Sequence, residues 1–438
     1  MIYMDINAQF IHKENNASLP VTEHMLILDP TSRSTAIKGG EQTTFDIPTA
    51  SGANGSFIDM NSSYISFRVG CKGVDGAAGV KARLGKAGVH GLFDTIDVES
   101  SGYTVEHTTD YAQLHSVLSD VMDTPESRFG YKAFTEGLSA DAVAQSAGLT
   151  KGAGLVSHPT RVAAHSSDIR FTFPIPSQCL NSGNHLPIHA ISQLRYRITW
   201  AKPTNGIVSV VADADALEYR IEEPQLHLCY LEMSSASKSV ITQKSGGLSW
   251  SLPLWEVHRA NLSTGLGSTA FRIPSHKSSI KTLMCTFQDS DSGSPENSTK
   301  AGEDALSRDF PNVENYQYRL NGAFYPQKEV ECKYGGTESA IELMRAFHKT
   351  KAESGMITRS NYLLKGNKTA LGKFAIAQNI ESNTGRSNSS FAGVSTLQEA
   401  PLLNIKFDAN SSTPQTVFNY VQYDTNQSIV NGIWKVDM

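Results

Sequence analysis

No two cysteines in this 438-residue chain form a C-x-x-C pair. The five present (Cys71, Cys179, Cys229, Cys285, Cys332) are scattered and odd in number. That excludes a cysteine-based zinc cluster and a disulfide framework, and leaves buried apolar thiols of a reducing compartment as the expectation. A block of Lys/Arg is also missing. The formal charge is −5 and is spread along the chain, so a surface that neutralises a row of phosphates is not expected. No apolar run reaches the ~18 residues a membrane span needs. The opening MIYMDINAQFIHKENN lacks the basic-then-apolar order of a secretory signal, so the protein is expected inside the cell that makes it. The Asn-x-Ser/Thr triplets at Asn261 and Asn297 then read as composition and not as glycosylation sites.

Signatures of catalysis are equally sparse. The chain has no H-E-x-x-H, G-x-S-x-G or phosphate-binding loop. His185 and His189 have the i, i+4 spacing of a helical metal pair, but Pro187 lies between them and argues against a helix. Gly265-Leu-Gly267 opens like a dinucleotide loop but lacks the third glycine and the βαβ setting, so a plain turn is expected. Asp213/Asp215 and Asp289/Asp291 could hold a cation or act as paired carboxylates, although polar loops normally carry solvated Asp. Trp200, Trp250, Trp255 and Trp434 sit in strand patterns, where core or interface roles outweigh a sugar-stacking platform. No enzyme activity, metal or cofactor is expected. The alternative is a carbohydrate-binding or carbohydrate-active β-sandwich that uses those Asp and Trp residues.

What the chain does contain is strand pattern, repeated. Charged residues are 18 % and hydrophobic ones 39 %, a mix that with abundant Gly, Ser and Asn suits a loop-rich β protein. The stretch YQYRLNGAFYPQK alternates aromatic and polar residues around Asn321-Gly322, a strong hairpin signal, and LFDTIDVESSGYTVE has the same outline around Ser101-Gly102. The two turns sit half a chain apart, and an amphipathic helix follows each. One is YAQLHSVLSDVM, with Tyr111, Leu114, Val117, Leu118 and Met122 in phase and Asp110 as its cap. The other is TESAIELMRAFHK, with Ile341, Met344 and Phe347 on one face and Thr337 or Ser339 near its cap. Pro125 to Ser157, rich in Gly, Ala and Ser, reads as a long loop.

Similarity at this period indicates duplicated domains and not a solenoid. With about eight strand candidates per half, the fold class is all-β: two tandem eight-stranded jelly-roll β-sandwiches with short helices in the inter-strand loops. The expected boundaries are an N-terminal arm at 1–25, a first roll at 26–233, a polar linker at 234–247 and a second roll at 248–438.

The order of motifs resembles the double jelly-roll major capsid proteins of double-stranded DNA viruses. The likeness is to the Polinton-type, virophage and large nucleocytoplasmic DNA virus branch, with adenovirus hexon and tectivirus-type phage coats as more distant kin. It rests on the FIDMNSSYI stretch within Phe57 to Val69, and on the hairpin carrying Leu92, Phe93, Ile96, Asp97, Val98 and Gly102. The helix with Tyr111, Leu114 and Leu118 follows. Tyr318 to Pro326 (YRLNGAFYP), Phe418 to Asp424 (FNYVQYD) and the second Asn-Gly at Ile429 to Gly432 complete it. The Ser101-Gly102 turn departs from the family's Asn-Gly or Asp-Gly, and the 125–157 loop follows no family pattern. The resemblance implies a structural virion protein that forms homotrimers of pseudo-hexameric outline and tiles an icosahedral shell. Its implied partners are neighbouring capsomers, penton and minor capsid proteins and, where the virus has one, an internal membrane. Assembly inside the host cell and no sequence-specific nucleic-acid binding are also implied. Ile2, Tyr3, Ile6, Phe10 and Ile11 would then form an arm that grips a neighbouring capsomer.

Overall fold

The computed structural model describes residues 21–32, 36–49, 56–73, 82–137, 169–181, 185–209, 217–233, 248–289, 304–333, 335–347, 357–364, 372–381, 392–408 and 414–437. The first half supplies eight principal strands. They are β1 (Val21–Leu28), β2 (Gln42–Ile47), β3 (Ser56–Gly73), β4 (Phe93–Ser100), β5 (Tyr103–Thr108), β6 (Ile169–Pro174), β7 (Leu194–Trp200) and β8 (Leu217–Met233). The second half supplies β9 (Leu248–Leu262), β10 (Ser268–Arg272), β11 (Ile280–Asp289), β12 (Val313–Leu320), β13 (Ala323–Glu331), β14 (Ile376–Asn379), β15 (Leu402–Phe407) and β16 (Gln415–Val430). A closing strand, β17 (Ile433–Asp437), follows.

The sheet orders match between halves. The first half pairs β1-β8-β3-β6 in one sheet and β2-β7-β4-β5 in the other. The second pairs β9-β16-β11-β14 and β10-β15-β12-β13. Adding eight to each strand number of the first roll yields the second, and all the ladders between these strands are antiparallel. Two four-strand sheets with this interleaved order, closed by strands from both ends of the segment, make a jelly roll. The chain is therefore a double jelly roll, all-β in class.

Period-two patterning explains the strands. In β7, Leu194, Tyr196, Ile198 and Trp200 point into the core while Arg195 and Arg197 face out. The outward arginines meet Asp46, Asp97 and Glu99 on the flanking strands, the cross-strand pairing that favours this register. By contrast, β11 (IKTLMCTFQD) is buried along almost its whole length on both faces. Its Thr282 reaches the Ala346 carbonyl and its Gln288 receives the Gln113 amide, so protein covers the face that water covers in an outer strand. The interiors of the two rolls form one continuous apolar cluster. Cys179, Cys229, Cys285 and Cys332 are buried free thiols.

Several expectations need correction. The arm was placed at 1–25, but Val21–Met25 is already strand, paired to Cys229–Met233. Its alternation of outward Val21, Met25 and Ile27 with inward-leaning Leu26 and Leu28 is too short to stand out beside a polar segment. The expected arm residues Ile2, Tyr3, Ile6, Phe10 and Ile11 and the linker 234–247 lie outside the described residues. Within the expected loop 125–157 two short helices occur, α2 (Pro125–Phe129) and α3 (Tyr131–Thr135), after α1 (Tyr111–Met122). Thr124 accepts the Ser127 amide and Pro125 fills the first helical position, a start signal that the later Gly/Ala/Ser bias obscured. Asp110 does not cap α1 through its side chain. Its backbone is left-handed, at φ 52°, and its carboxylate is engaged elsewhere. In α4 (Thr337–Ala346) the residue before the helix is Gly336, and Leu343 and Ala346 are buried while Ile341 is exposed. The buried face is thus rotated from the expected Ile341–Met344–Phe347 stripe.

Both hairpins turn through two residues with positive φ: Ser101 and Gly102 (47° and 85°), and Asn321 and Gly322 (46° and 79°). That is the type I′ signature, whose twist matches the flanking strands. Nothing lies within 4 Å of the position a Cβ would take on Gly322, so only backbone strain opposes a side chain there. Gly322→Ala is expected to cost about 1 kcal/mol, read as a small drop in the urea unfolding midpoint with unchanged slope. A loss well beyond that would show that the turn is held by more than its own conformation.

Candidate functional site

The joint between the rolls contains the most unusual chemistry among the described residues. Asp120, on α1, is fully buried. Its Oδ1 accepts from Arg128 Nη1 at 2.6 Å and its Oδ2 accepts from Arg308 Nη2. Lys373 Nζ lies 3.4 Å and Lys86 Nζ 3.6 Å from the same carboxylate. All four cations are buried, Lys86 and Arg128 from the first roll and Arg308 and Lys373 from the second. A second buried carboxylate, Asp304, accepts the Lys86 amide at 2.6 Å and the Leu306 amide at 2.9 Å. Lys86 Nζ also donates to the Gly372 carbonyl at 3.1 Å, and Arg308 Nη1 lies 3.4 Å from Ser116 Oγ. The backbone is drawn in tightly here: a Cβ on Gly372 would stand 2.2 Å from the Arg308 carbonyl oxygen.

Burial alone would raise the Asp120 carboxyl. The charges of Lys373, Arg308, Arg128 and Lys86 overcome that and hold it well below the ordinary carboxylate range. Lys86 is pushed down to about 7, first by burial and then by the neighbouring Arg308 charge.

Beside this cluster, a polar ladder joins the rolls. Buried Glu106 accepts from Ser177 Oγ and from the Gln178 and Cys179 amides, fixing the turn that follows β6. Gln178 then pairs with the exposed backbone edge of β9. Its amide donates to the Trp255 carbonyl at 3.1 Å, and its carbonyl accepts the Trp255 N–H at 2.6 Å. That blunts an edge that would otherwise be open. Asp110 binds Arg259 of β9 with two contacts. At the end of the joint, Trp434 N–H donates to Ser100 Oγ, Ser192 N–H donates to the Gly432 carbonyl, and Lys435 lies over the Tyr103 ring.

The residues singled out in the sequence distribute as follows. Ser101 and Gly102 turn at this joint, beside the Asn431-Gly432 hairpin. Asn321 and Gly322 are exposed on the second roll, where Asn321 Nδ2 donates to the Ser395 carbonyl. His185 lies near Asp59 and His189 packs edge-on against Phe57, so the two rings serve different neighbours. Gly265 occupies a turn at φ 80°. Asp289 is buried at the end of β11, and Asp213, Asp215 and Asp291 lie outside the described residues. Trp200, Trp255 and Trp434 are buried, so they offer no stacking platform to a sugar. Sequence reasoning did not find the Asp120 cluster. The available signal was that α1 carries Ser116, Ser119 and Asp120 on faces that its apolar residues do not explain.

No protein-family model and no curated protein sequence matches this chain. Solved structures do. The chain is similar to the PBCV-1 virus capsid at a TM-score of 0.59 and 10 % identity, over 98 % of this chain and 99 % of that one. It is similar to the Faustovirus major capsid protein at 0.58 and 9 %, over 96 % and 92 %. It is also similar to the mavirus major capsid protein at 0.51 and 12 %, over 98 % and 93 %. These likenesses cover both rolls, and they show that the double jelly-roll fold expected from the sequence is present.

Asp120→Asn would leave the buried guanidiniums of Arg128 and Arg308 facing a neutral amide, and an unpaired buried charge is far more costly than a lost surface pair. The expected loss is about 3–5 kcal/mol of stability, against less than about 1 kcal/mol for Arg195→Ala at the exposed Asp46 pair. Urea unfolding of the two variants side by side checks this. Lys86 adds a pH dependence. Its folded value lies below its unfolded one, so between about 7 and 10.5 the unfolded chain binds the extra proton. Stability from Lys86 therefore rises with pH across that window. Lys86→Met should flatten that rise relative to the parent chain, and parallel curves would show that Lys86 is charged in the fold.

Proposed function

We propose that this chain is a major capsid protein, a structural coat subunit without enzymatic activity, that assembles as pseudo-hexameric trimers in an icosahedral viral shell. The observation that carries the reading is full-length likeness to virus capsid coats across both rolls, at identities too low to reflect shared loops or surface chemistry. Two similar rolls per chain supply six similar wedges per trimer. The units are an arm at 1–25, shortened at its inner end by the strand from Val21, then rolls at 26–233 and 248–438 around the linker 234–247.

The joint within one chain indicates how the next chain would be met. The β4–β5 hairpin of the first roll packs against the C-terminal hairpin of the second. Its counterpart, the β12–β13 hairpin, is exposed, and Phe324 beside its turn is half uncovered. In a ring of alternating rolls that free hairpin faces the first roll of a neighbouring chain, and burying Phe324 there contributes on the order of 2 kcal/mol per contact. Neighbouring capsomers, penton and minor capsid proteins and an underlying membrane are the further partners of such a shell, which would be built inside the host cell.

Size-exclusion chromatography with light scattering should give a particle of three times the 47.5 kDa chain, and negative-stain images should show six-lobed outlines. Phe324→Asp should shift the population toward monomer while leaving the far-ultraviolet spectrum unchanged. A stable monomer from the parent chain under all conditions would sink the reading.

A further inference from the structure

We propose that His90, His115 and Glu136 form a binding site for a divalent transition-metal ion, zinc first among them, that staples the helical segment of the first roll to its β-sandwich. The proposal is independent of any role in a shell. Each of the three residues offers one ligand atom, and these atoms lie within 4.8 Å of one another. His90 Nε2, His115 Nδ1 and Glu136 Oε2 are all shielded from solvent; His90 Nε2 and Glu136 Oε2 face only each other, and His115 Nδ1 has no hydrogen-bond partner. Gathering three such under-satisfied atoms in one buried place is costly, and the few exceptions in folded proteins call for a specific explanation such as a bound ion. His90 Nε2 and Glu136 Oε2 stand 3.4 Å apart. A tetrahedral zinc with bonds of ~2.0–2.1 Å holds its donors roughly 3.3 Å apart, so this pair already spans one edge of the polyhedron.

The surroundings suit a structural site. The outer nitrogen of His90, Nδ1, faces Tyr111 Oη at 3.3 Å, the kind of outer contact that fixes a ligand imidazole's tautomer and orientation. The His115 ring stacks on His90 with centroids 3.6 Å apart, so one imidazole must turn about its χ2 for both to aim at a single ion, and Phe173 packs edge-on against His90 at 4.9 Å. Two imidazoles and one carboxylate are a borderline donor set that suits zinc better than calcium or magnesium.

The three ligands come from separate elements. His90 lies in the 3-10 turn Gly88–Leu92 that leads into β4, His115 on α1, and Glu136 just past the end of α3. The Glu136 carbonyl already accepts the Val89 amide at 2.9 Å, so the chain returns to this turn with or without an ion. A metal ion would fasten the same return through side chains. The competing arrangement is a plain His90–Glu136 ion pair with His115 as packing. It needs no metal and leaves His115 Nδ1 unsatisfied.

The test uses the full chain, stripped with chelator and dialysed, then titrated with zinc chloride by calorimetry and followed by thermal unfolding. Bound metal is counted by mass spectrometry after a second dialysis. The expected result is one zinc per chain and a melting temperature that rises as zinc is added. His115→Phe keeps the ring stack and the His90–Glu136 pair, and should weaken zinc binding at least ~10-fold and remove the thermal shift. Glu136→Gln should do the same and serves if the first variant does not fold. Cobalt in place of zinc should give the absorption of a tetrahedral site in the parent chain alone. The proposal is overturned if the stripped parent retains no zinc and its melting temperature does not move. Equal retention by the parent and both variants also overturns it, because the ion would then sit on other histidines.

Discussion

One buried carboxylate sets the relation between the two halves of this molecule. Asp120 lies where α1 is enclosed by both rolls, and it is the common partner of two cations from its own roll and two from the other. Each of those charges has lost its water. Desolvation of that size is offset only in the arrangement that brings all of them onto the carboxylate and onto Asp304, Ser116 and the Gly372 carbonyl. Apolar contact between the rolls would tolerate sliding, since the hydrophobic effect has no direction. The charge cluster does not tolerate it, because a small shift strands a buried cation. The continuous core supplies cohesion, and Asp120 supplies the register.

That constraint accounts for the main asymmetry between the duplicated rolls. α1 and α4 follow the same hairpin in the same strand order, and both bury polar as well as apolar residues, but only α1 buries a carboxylate against cations of the other roll. α1 encloses Ser116 and Asp120 where Arg308 and Lys373 of the second roll lie against it. α4 leaves Ile341 in the open, since no such partner covers it within one chain. The strands kept their pattern because each roll needs its own core. The residues at the joint differ because only α1 is met by the other roll of the same chain. The same holds for the hairpins: Ser100 and Tyr103, on either side of the Ser101-Gly102 turn, meet the C-terminal strand, and the residues beside Asn321-Gly322 do not.

The architecture was legible because its signals are local or periodic. Alternation in LRYRITW, the Asn-Gly and Ser-Gly turns and the spacing of the amphipathic helices each follow from backbone geometry, and their recurrence revealed the duplication. What was not legible depends on contacts between distant parts of the chain. Asp110 looks like a helix cap until Arg259 is found beside it. Ile341 looks like a core residue until the helix is seen to roll toward Leu343. Lys86, Arg128, Arg308 and Lys373 carry no mutual spacing that could mark them as one cluster. Similarly, His185 and His189 have a suggestive interval but separate surroundings, whereas His90, His115 and Glu136 have no interval to notice and share one pocket.

In the proposed assembly each chain would bring one joint already made and one hairpin still exposed. The contact between its rolls is head-to-tail: the hairpin side of the first meets the C-terminal side of the second. Head-to-tail contacts repeat until the rotation closes a ring, or run on as a filament if it does not. In the proposed trimer each roll turns the path by about one sixth of a circle, a geometric step of the closed ring. Half the contacts in such a ring are covalently tethered and fixed by Asp120, and the other half form between chains. Fixing the first set rigidly matters for the second, because any looseness in the angle within one chain would be carried into the contact with the next. A costly buried charge cluster at the internal joint is therefore consistent with a subunit whose closure depends on holding that angle.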